Sequence, residues 1–296
     1  MELSSSDWLK IKTTLITLVI VFIYFFINRW ITQYRTGRKL NKELALLDNF
    51  AYGLSYAGSI FAFVLIAGEV FRGLSFEDLF ADSIHALIYA ALAVAFMEMG
   101  RYIHDHHILF NFDENKAINQ KNIAGAFVDA ASIIANAICI IAIYHWSGAN
   151  TMDDLLIIII MFFITQAYFL LLARWREYRY AKANQGDSMQ RTLSYENLSL
   201  SIHYSGYLIA GALNIKTASQ ITHYLPAEIT TNVLAFFLYG SCFMIANIAF
   251  AFIGSKIVLN HINADVEINH QDNVGIATVE FTIIVSLALM IMKVFS

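Results

Sequence analysis

Six acidic, imidazole or phenolic side chains lie within stretches of sequence that are otherwise apolar: Tyr56, Glu98, Asp129, His203, Tyr204 and Glu280. Asp129 and Glu280 each come seven residues after an asparagine, which is about two turns, or roughly 10 Å, into a helix. An ionisable side chain at that depth in a membrane is costly and normally faces a bundle interior or a wet cavity. These residue types are therefore candidates for chemistry on protons or small cations.

Two hypotheses account for the acids. In the first, the six side chains line one polar site in the cytoplasmic half of the membrane, where they exchange protons with a passing cation or form a proton relay. In the second, Asp129 and Glu280 are protonated and hydrogen bond to tyrosines, so that they only hold helices together. Flux measurements on amide variants of the two acids separate these hypotheses.

The elements that carry these residues are copies of one unit. Asn49, Asn122, Asn197 and Asn273 are spaced 73, 75 and 76 residues apart, and each is followed by small and apolar residues. Asparagine is a strong helix N-cap, because its side-chain oxygen accepts a hydrogen bond from a free N–H of the first turn. The pattern predicts four helical hairpins, with the asparagines as caps at the cytoplasmic face.

The composition indicates that lipid surrounds these helices. The 296 residues are 58% hydrophobic and only 14% charged, and they contain a single proline. Several apolar runs reach the roughly 20 residues that cross a bilayer core. We predict an all-α, polytopic integral membrane protein with eight transmembrane helices, at 12–31, 48–71, 83–104, 122–145, 155–175, 196–215, 229–255 and 273–293.

Basic residues set the orientation, because lysine and arginine are enriched in cytoplasmic loops. Of the 19 lysines and arginines, all but five lie on the same side of the predicted spans; the exceptions are Lys10, Lys12, Arg72, Lys216 and Lys293. This asymmetry predicts that both termini lie outside the cytoplasm. It also predicts that every repeat asparagine opens an even-numbered span from the cytoplasmic side.

Small residues and an internal match indicate how the spans are arranged. Pairs at a spacing of four, such as Gly53 with Ala57 and Gly58 with Ala62, let membrane helices approach closely, so we expect the even spans to form a tight centre. AFMEMGRYI, from Ala95, matches AFAFIGSKI, from Ala249. We therefore predict two parallel four-helix halves, 1–150 and 151–296, related by a pseudo-two-fold axis along the membrane normal.

The repeat unit resembles the membrane repeats of the domain of unknown function 350 family. The shared features are paired spans, a cytoplasmic asparagine that opens the second span, and a run of small residues that ends in glycine. The chain is similar to a double-length member. It departs from the pattern where Ala131 and Thr282 replace the glycine. The resemblance implies a location in the bacterial inner membrane, and it implies no catalytic residue.

Several functions are disfavoured. The sequence has no zinc-ligand spacing, Gly-rich phosphate loop or nucleophile elbow, so we expect no metal, no cofactor and no enzyme activity. His104 and His107 would share a helix face, but a solvated turn is favoured over a metal site there. The expected partners are the lipid bilayer, with anionic headgroups and further copies of the chain as candidates, and no nucleic acid.

The sequence thus predicts a channel or transporter for protons or a small cation, with polyamines as one candidate. The alternative is a non-conducting membrane scaffold, or an envelope-stress protein, that recruits partners through its basic cytoplasmic loops. An intramembrane enzyme has only the clustered acids in its favour.

Overall fold

A computed structural model describes residues 5–70, 79–148, 155–225 and 228–296 of the chain. Within these ranges the elements are helical, and they follow the order α1 (Ser5–Thr36), α2 (Phe50–Val70), α3 (Leu79–Ile103), α4 (Glu114–Asn119), α5 (Ile123–Ser147), α6 (Leu155–Ala183), α7 (Met189–Ser194), α8 (Leu198–Ile221), α9 (Ile229–Val258), α10 (Ala264–Asn269) and α11 (Val274–Val294). Two π-helical turns, Lys42–Leu46 and His104–Ile108, follow α1 and α3. Arg72, one of the exceptions to the charge asymmetry, lies outside the described residues.

Seven of the long helices in the described ranges are long and apolar enough to span a membrane, which confirms the prediction of an all-α polytopic membrane protein. The other long helix is α8, at the predicted sixth span. It carries several buried polar side chains, including His203 and Asn214. Because neighbouring helices enclose α8, it has little surface that must be apolar toward lipid. The count of eight spans stays a prediction.

Helices α2, α5, α8 and α11 correspond to the second, fourth, sixth and eighth predicted spans, which are the even-numbered ones. They pack in that order, each against the next. Small residues allow close contact: a Cβ atom added at Gly58 would lie 2.8 Å from the Ala130 Cβ atom. At Gly206, an added Cβ atom would lie 3.2 Å from the Phe281 Cα atom. Close packing of this kind holds helices together where lipid supplies no hydrophobic drive.

Helices α3, α6 and α9, the third, fifth and seventh spans, each lie against two consecutive helices of this row. Helix α3 packs on α2 and α5, α6 packs on α5 and α8, and α9 packs on α8 and α11. A two-fold axis that relates the halves would exchange α2 with α8 and α5 with α11. Because α5 packs on α8, the same axis would also place α11 against α2. In the described structure α2 and α11 make no extensive contact. The prediction of a two-fold axis is therefore wrong, and the four repeats follow one another in an open row.

Each repeat asparagine caps its helix, and the first three also bind the connecting loop of the next repeat. The side-chain oxygens of Asn49, Asn122, Asn197 and Asn273 accept from backbone N–H groups three residues later, at 3.1, 2.8, 2.7 and 3.2 Å. In the first three repeats the amide nitrogen also donates to backbone carbonyls of the next repeat, at Ile118, Leu193 and Ile268. One residue type thus both starts the helix and joins successive repeats.

Candidate functional site

Asp129, on α5, is fully buried and belongs to a network that closes around it. The Nε atom of Arg101, on α3, lies 2.9 Å from its carboxylate, and the Ser55 hydroxyl donates to it at 2.5 Å. Arg101 also donates to Glu98 at 3.1 Å and to the Ser59 hydroxyl at 2.6 Å. A buried ion pair with these additional hydrogen bonds is the arrangement in which buried charges persist.

Arg101 is the member of this network that the sequence reasoning missed. It was expected to be part of the cytoplasmic charge, but it is only 1% exposed. The signal for its role was weak: a glutamate stands three residues earlier on the same helix, and Asp129 had no identified partner. Asp129 is therefore the acidic half of an ion pair, and the hypothesis that it is a protonated acid held by tyrosines is wrong.

Glu280, on α11, stands at the equivalent position of the fourth repeat and is 7% exposed. The hydroxyl of Ser255, on α9, donates to its carboxyl group. The match between AFMEMGRYI and AFAFIGSKI aligns Ser255 with Arg101. The same pair of positions thus holds arginine and aspartate in the first half, and serine and glutamate in the second. No ion pair to Glu280 occurs among the described residues.

A cavity of about 430 Å³ lies beside Glu280, between α6, α8, α9, α10 and α11. Its wall includes Arg176, His203, Tyr207, Ser255, Asp265 and Glu280. Arg179 and Lys256, which are exposed at the surface, also line it. In contrast to the enclosed surroundings of Asp129, this acid faces open volume that a small molecule or water can occupy.

Arg176, on α6, is held on the wall of this cavity. Its side chain is 8% exposed, and its guanidinium lies 4.3 Å from the centre of the Tyr207 ring. One Nη atom is 3.2 Å from His203 Nδ1. Since arginine can only donate, His203 Nδ1 is the acceptor and the imidazole is neutral. The Nε atom of Arg176 has no hydrogen-bond partner in the described structure.

Tyr204 belongs to a third group of contacts. Its hydroxyl lies 3.4 Å from His104 Nε2, and His104 Nδ1 lies 2.7 Å from a carboxyl oxygen of Glu114. Burial raises the pKa of the Glu114 carboxyl to about 7, against the opposing effect of His104. His104 is buried under α4, so the prediction of a solvated turn is wrong at this residue. The π-helical turn rotates His104 inward, whereas His106 is exposed.

The six predicted site residues are thus distributed over separate groups. Asp129 and Glu98 both pair with Arg101. Glu280 and His203 line the same cavity, and Tyr204 contacts His104. Tyr56, half-buried on α2, makes no hydrogen bond with the other five in the described part of the chain. In those same ranges, no group of three or more His, Cys, Asp or Glu side chains is arranged to hold a metal ion.

Comparison with known proteins gives one match. The family described as Domain of Unknown Function (DUF350) matches twice, over residues 10–144 and 150–295. No curated protein and no solved structure matches the chain. The two family matches agree with the resemblance drawn from the repeat asparagines.

Proposed function

The chain belongs to the DUF350 family as a double-length member, and from this premise we propose that it is a channel or transporter for protons or a small cation. Its location would be the bacterial inner membrane, with both termini outside the cytoplasm. Glu280 is the carboxyl group that exchanges protons or pairs with the cation. No step of this function requires an enzyme reaction or a cofactor.

The difference between the two equivalent acids is the observation that carries the proposal. Asp129 is fully buried and paired with Arg101, and it does not itself line the neighbouring cavity of about 350 Å³, whose wall includes Arg101 and Glu98 instead. Glu280 lacks a basic partner among the described residues and lines a cavity of about 430 Å³. An acid that exchanges ions needs access and must not be neutralised permanently, and of the two equivalent acids Glu280 is the one that meets both conditions.

The charges around the cavity favour protons over a free polyamine. Arg176, Arg179 and Lys256 line it together with only two acids, Asp265 and Glu280. A multivalent organic cation would be repelled by these basic groups. A proton can reach Glu280 through water in the cavity without displacing any of them.

Proton flux into liposomes tests the proposal. Purified protein is reconstituted with a pH-sensitive dye inside, and flux is driven by a potassium diffusion potential. We expect Glu280→Gln to lose the flux of the wild type, because glutamine has nearly the same volume as glutamate but no carboxyl group that can take up and release a proton. Asp129→Asn is the matched control: flux per folded molecule should be kept, since Asp129 is not exposed to the cavity. Unchanged flux in Glu280→Gln would rule out this role for Glu280.

A scaffold function is the second candidate, and the first half of the chain favours it. There the ion pair of Asp129 and Arg101 joins α5 to α3, and both side chains are buried. A scaffold would recruit partners through its basic cytoplasmic segments, such as Arg174–Arg179, which also suit anionic lipid headgroups. Absence of flux in the wild type, with a partner retained through these segments in pull-downs, would favour the scaffold.

A further inference from the structure

Two side chains of opposite charge face the cavity beside Glu280 without a full set of partners. The Glu280 carboxyl group is bonded to the Ser255 hydroxyl and forms no ion pair in the described structure. The Nε atom of Arg176 is buried and unpartnered. The two side chains do not form an ion pair with each other, although both line the same 430 Å³ of space. Each therefore lacks a counter-group that a bound molecule could supply.

The first half of the chain shows what the Glu280 position accepts. At the equivalent place Asp129 is met by the guanidinium of Arg101, which comes from the position aligned with Ser255. Replacing arginine by serine removes a long side chain and its positive charge. Ser255 and Glu280 both line the cavity, so a group with cationic N–H donors can reach the carboxyl group there.

The part of the wall that Arg176 forms suits an anion. Arg176 is fixed by His203 and by the Tyr207 ring, and Arg179 and Lys256 add positive charge at the rim. Planar N–H donors of arginine suit carboxylate and phosphate oxygens. A multivalent cation would satisfy Glu280 but would be repelled by these basic groups, and a simple anion would be repelled by the Glu280 carboxylate.

We propose that this cavity binds a small zwitterion, with its primary ammonium or guanidinium group at Glu280 and Ser255, and its carboxylate or phosphate at Arg176 and Arg179. The inference rests on the proposed function in taking Glu280 as the working carboxyl group, and it adds the class of ligand. Phosphatidylethanolamine headgroups and free amino compounds share this chemistry. The exposed Arg179 and Lys256 lie at the cytoplasmic rim, where either source can enter.

Thermal unfolding of the full-length protein in detergent tests the soluble source. The probes are O-phosphoethanolamine and β-alanine, which carry both charges, and ethanolamine and inorganic phosphate, which carry one each. We expect the two zwitterions to raise Tm at concentrations at which neither single-charge probe does, because a ligand that binds only the folded state stabilises it.

Variants locate the binding. Glu280→Gln and Arg176→Gln should each weaken zwitterion binding by about tenfold or more, the effect of losing a hydrogen bond to a charged group. Lys182→Gln, an exposed basic residue on α6 away from the cavity, is the matched control and should bind like the wild type. Ser255→Arg should pair with Glu280 as Arg101 pairs with Asp129, and so abolish binding. If it fails to fold, the two glutamine variants still decide the question.

Native mass spectrometry tests the lipid source. Protein released from nanodiscs of phosphatidylethanolamine should retain that lipid more than it retains phosphatidylcholine, whose quaternary ammonium has no N–H donor. Retention lost in Glu280→Gln assigns the headgroup to the cavity, and a Tm response to soluble probes alone assigns a free ligand. The proposal is overturned if zwitterions act no better than the single-charge probes and no lipid preference is found. Proton flux that persists in that case would leave the proposed function standing, whereas binding without flux would remove only the transport role.

Discussion

At the scale of single residues, the exchange of Arg101 for Ser255 changes the chemistry of a repeated position. The arginine fills the space beside Asp129 and neutralises it, whereas the serine supplies one hydroxyl to Glu280. A buried carboxylate next to a guanidinium is a fixed charge pair. A buried carboxyl group next to a hydroxyl and a cavity can still change its partner or its proton.

The Asp129–Arg101 pair should dominate stability in the first half. We expect Asp129→Ala to lower the free energy of unfolding by about 3 kcal/mol, because the buried Arg101 loses its fully buried counter-ion and keeps only the partly exposed Glu98. Replacing both residues by apolar ones of similar volume, Asp129→Leu with Arg101→Met, should restore most of that loss. Denaturant unfolding in mixed micelles measures the three proteins, with Asp187→Ala, at an exposed loop residue, as the control. A double variant no more stable than Asp129→Ala would contradict the charge argument.

Residue types and spacing were sufficient to find Asp129 and Glu280, because an acid in an apolar run is conspicuous. They could not distinguish the two acids. The partner of Asp129 lies on another helix, and Arg101 has the type and position of an ordinary cytoplasmic anchor. The cavity beside Glu280 depends on five helices at once, which no local pattern encodes.

At the scale of elements, the sequence predicts the caps better than the helix ends. Span 122–145 corresponds to α5 (Ile123–Ser147), which begins after its asparagine cap. Span 155–175 corresponds to α6, which continues to Ala183. Hydropathy falls at the first arginines, but arginine, lysine and glutamate are good helix formers, so the helix runs on beyond the apolar part. The short helices α4, α7 and α10 lie in polar connections that carry no apolar run.

The contact between α2 and α5 leaves no space for a side chain at Gly58. An added Cβ atom would lie 2.8 Å from the Ala130 Cβ atom and 2.9 Å from its Cα atom, so the two backbones would have to separate. We expect Gly58→Ala to destabilise the protein by about 1–3 kcal/mol, the usual range for overpacking. Unfolding of the purified variant measures this.

Gly68 supplies the matched control on the same helix. A Cβ atom added there meets nothing within 4 Å, and alanine is the better helix former by up to about 1 kcal/mol. Gly68→Ala should therefore be neutral or stabilising. Equal effects of the two substitutions would show that helix propensity, and not the contact with α5, determines the result at Gly58.

At the scale of the whole molecule, the repeats form a row with two unlike ends. Helices α3, α6 and α9 each contact two consecutive even-numbered spans, but α1 packs on α2 without an even-numbered span before it. At the other end, Thr282 occupies the glycine position of α11 and is exposed. Repetition of one heterologous contact continues until it closes into a ring or meets a terminus.

The connections that precede the asparagine caps repeat in the same direction. The residue before the asparagine has a positive φ in every repeat, at Asp48, Lys121, Glu196 and Asp272. In the third repeat Glu196 accepts from the Ile123 N–H at 3.0 Å, and in the fourth Asp272 accepts from the Ser199 N–H at 2.7 Å. Each acid thus caps the helix of the preceding repeat. Asp48 is exposed, and its carboxylate accepts no hydrogen bond from another helix among the described residues.

We expect a second copy to continue the row, with its Asp48 at the first turn of α11, next to Val274. In a background with the exposed Cys242 changed to serine, the pair Asp48→Cys and Val274→Cys should form disulfide-linked dimers under mild oxidation in membranes. Tyr34→Cys with Val274→Cys is the control, because Tyr34, in the last turn of α1, is 93% exposed and is not part of the repeated contact. Equal cross-linking of the two pairs would reflect random collision, and a monomer by mass photometry at all lipid ratios would exclude the continued row. Selective cross-linking would mean that the contacts joining the four repeats also join separate chains, because the same cap that fixes Ile123 to Glu196 would then act between copies.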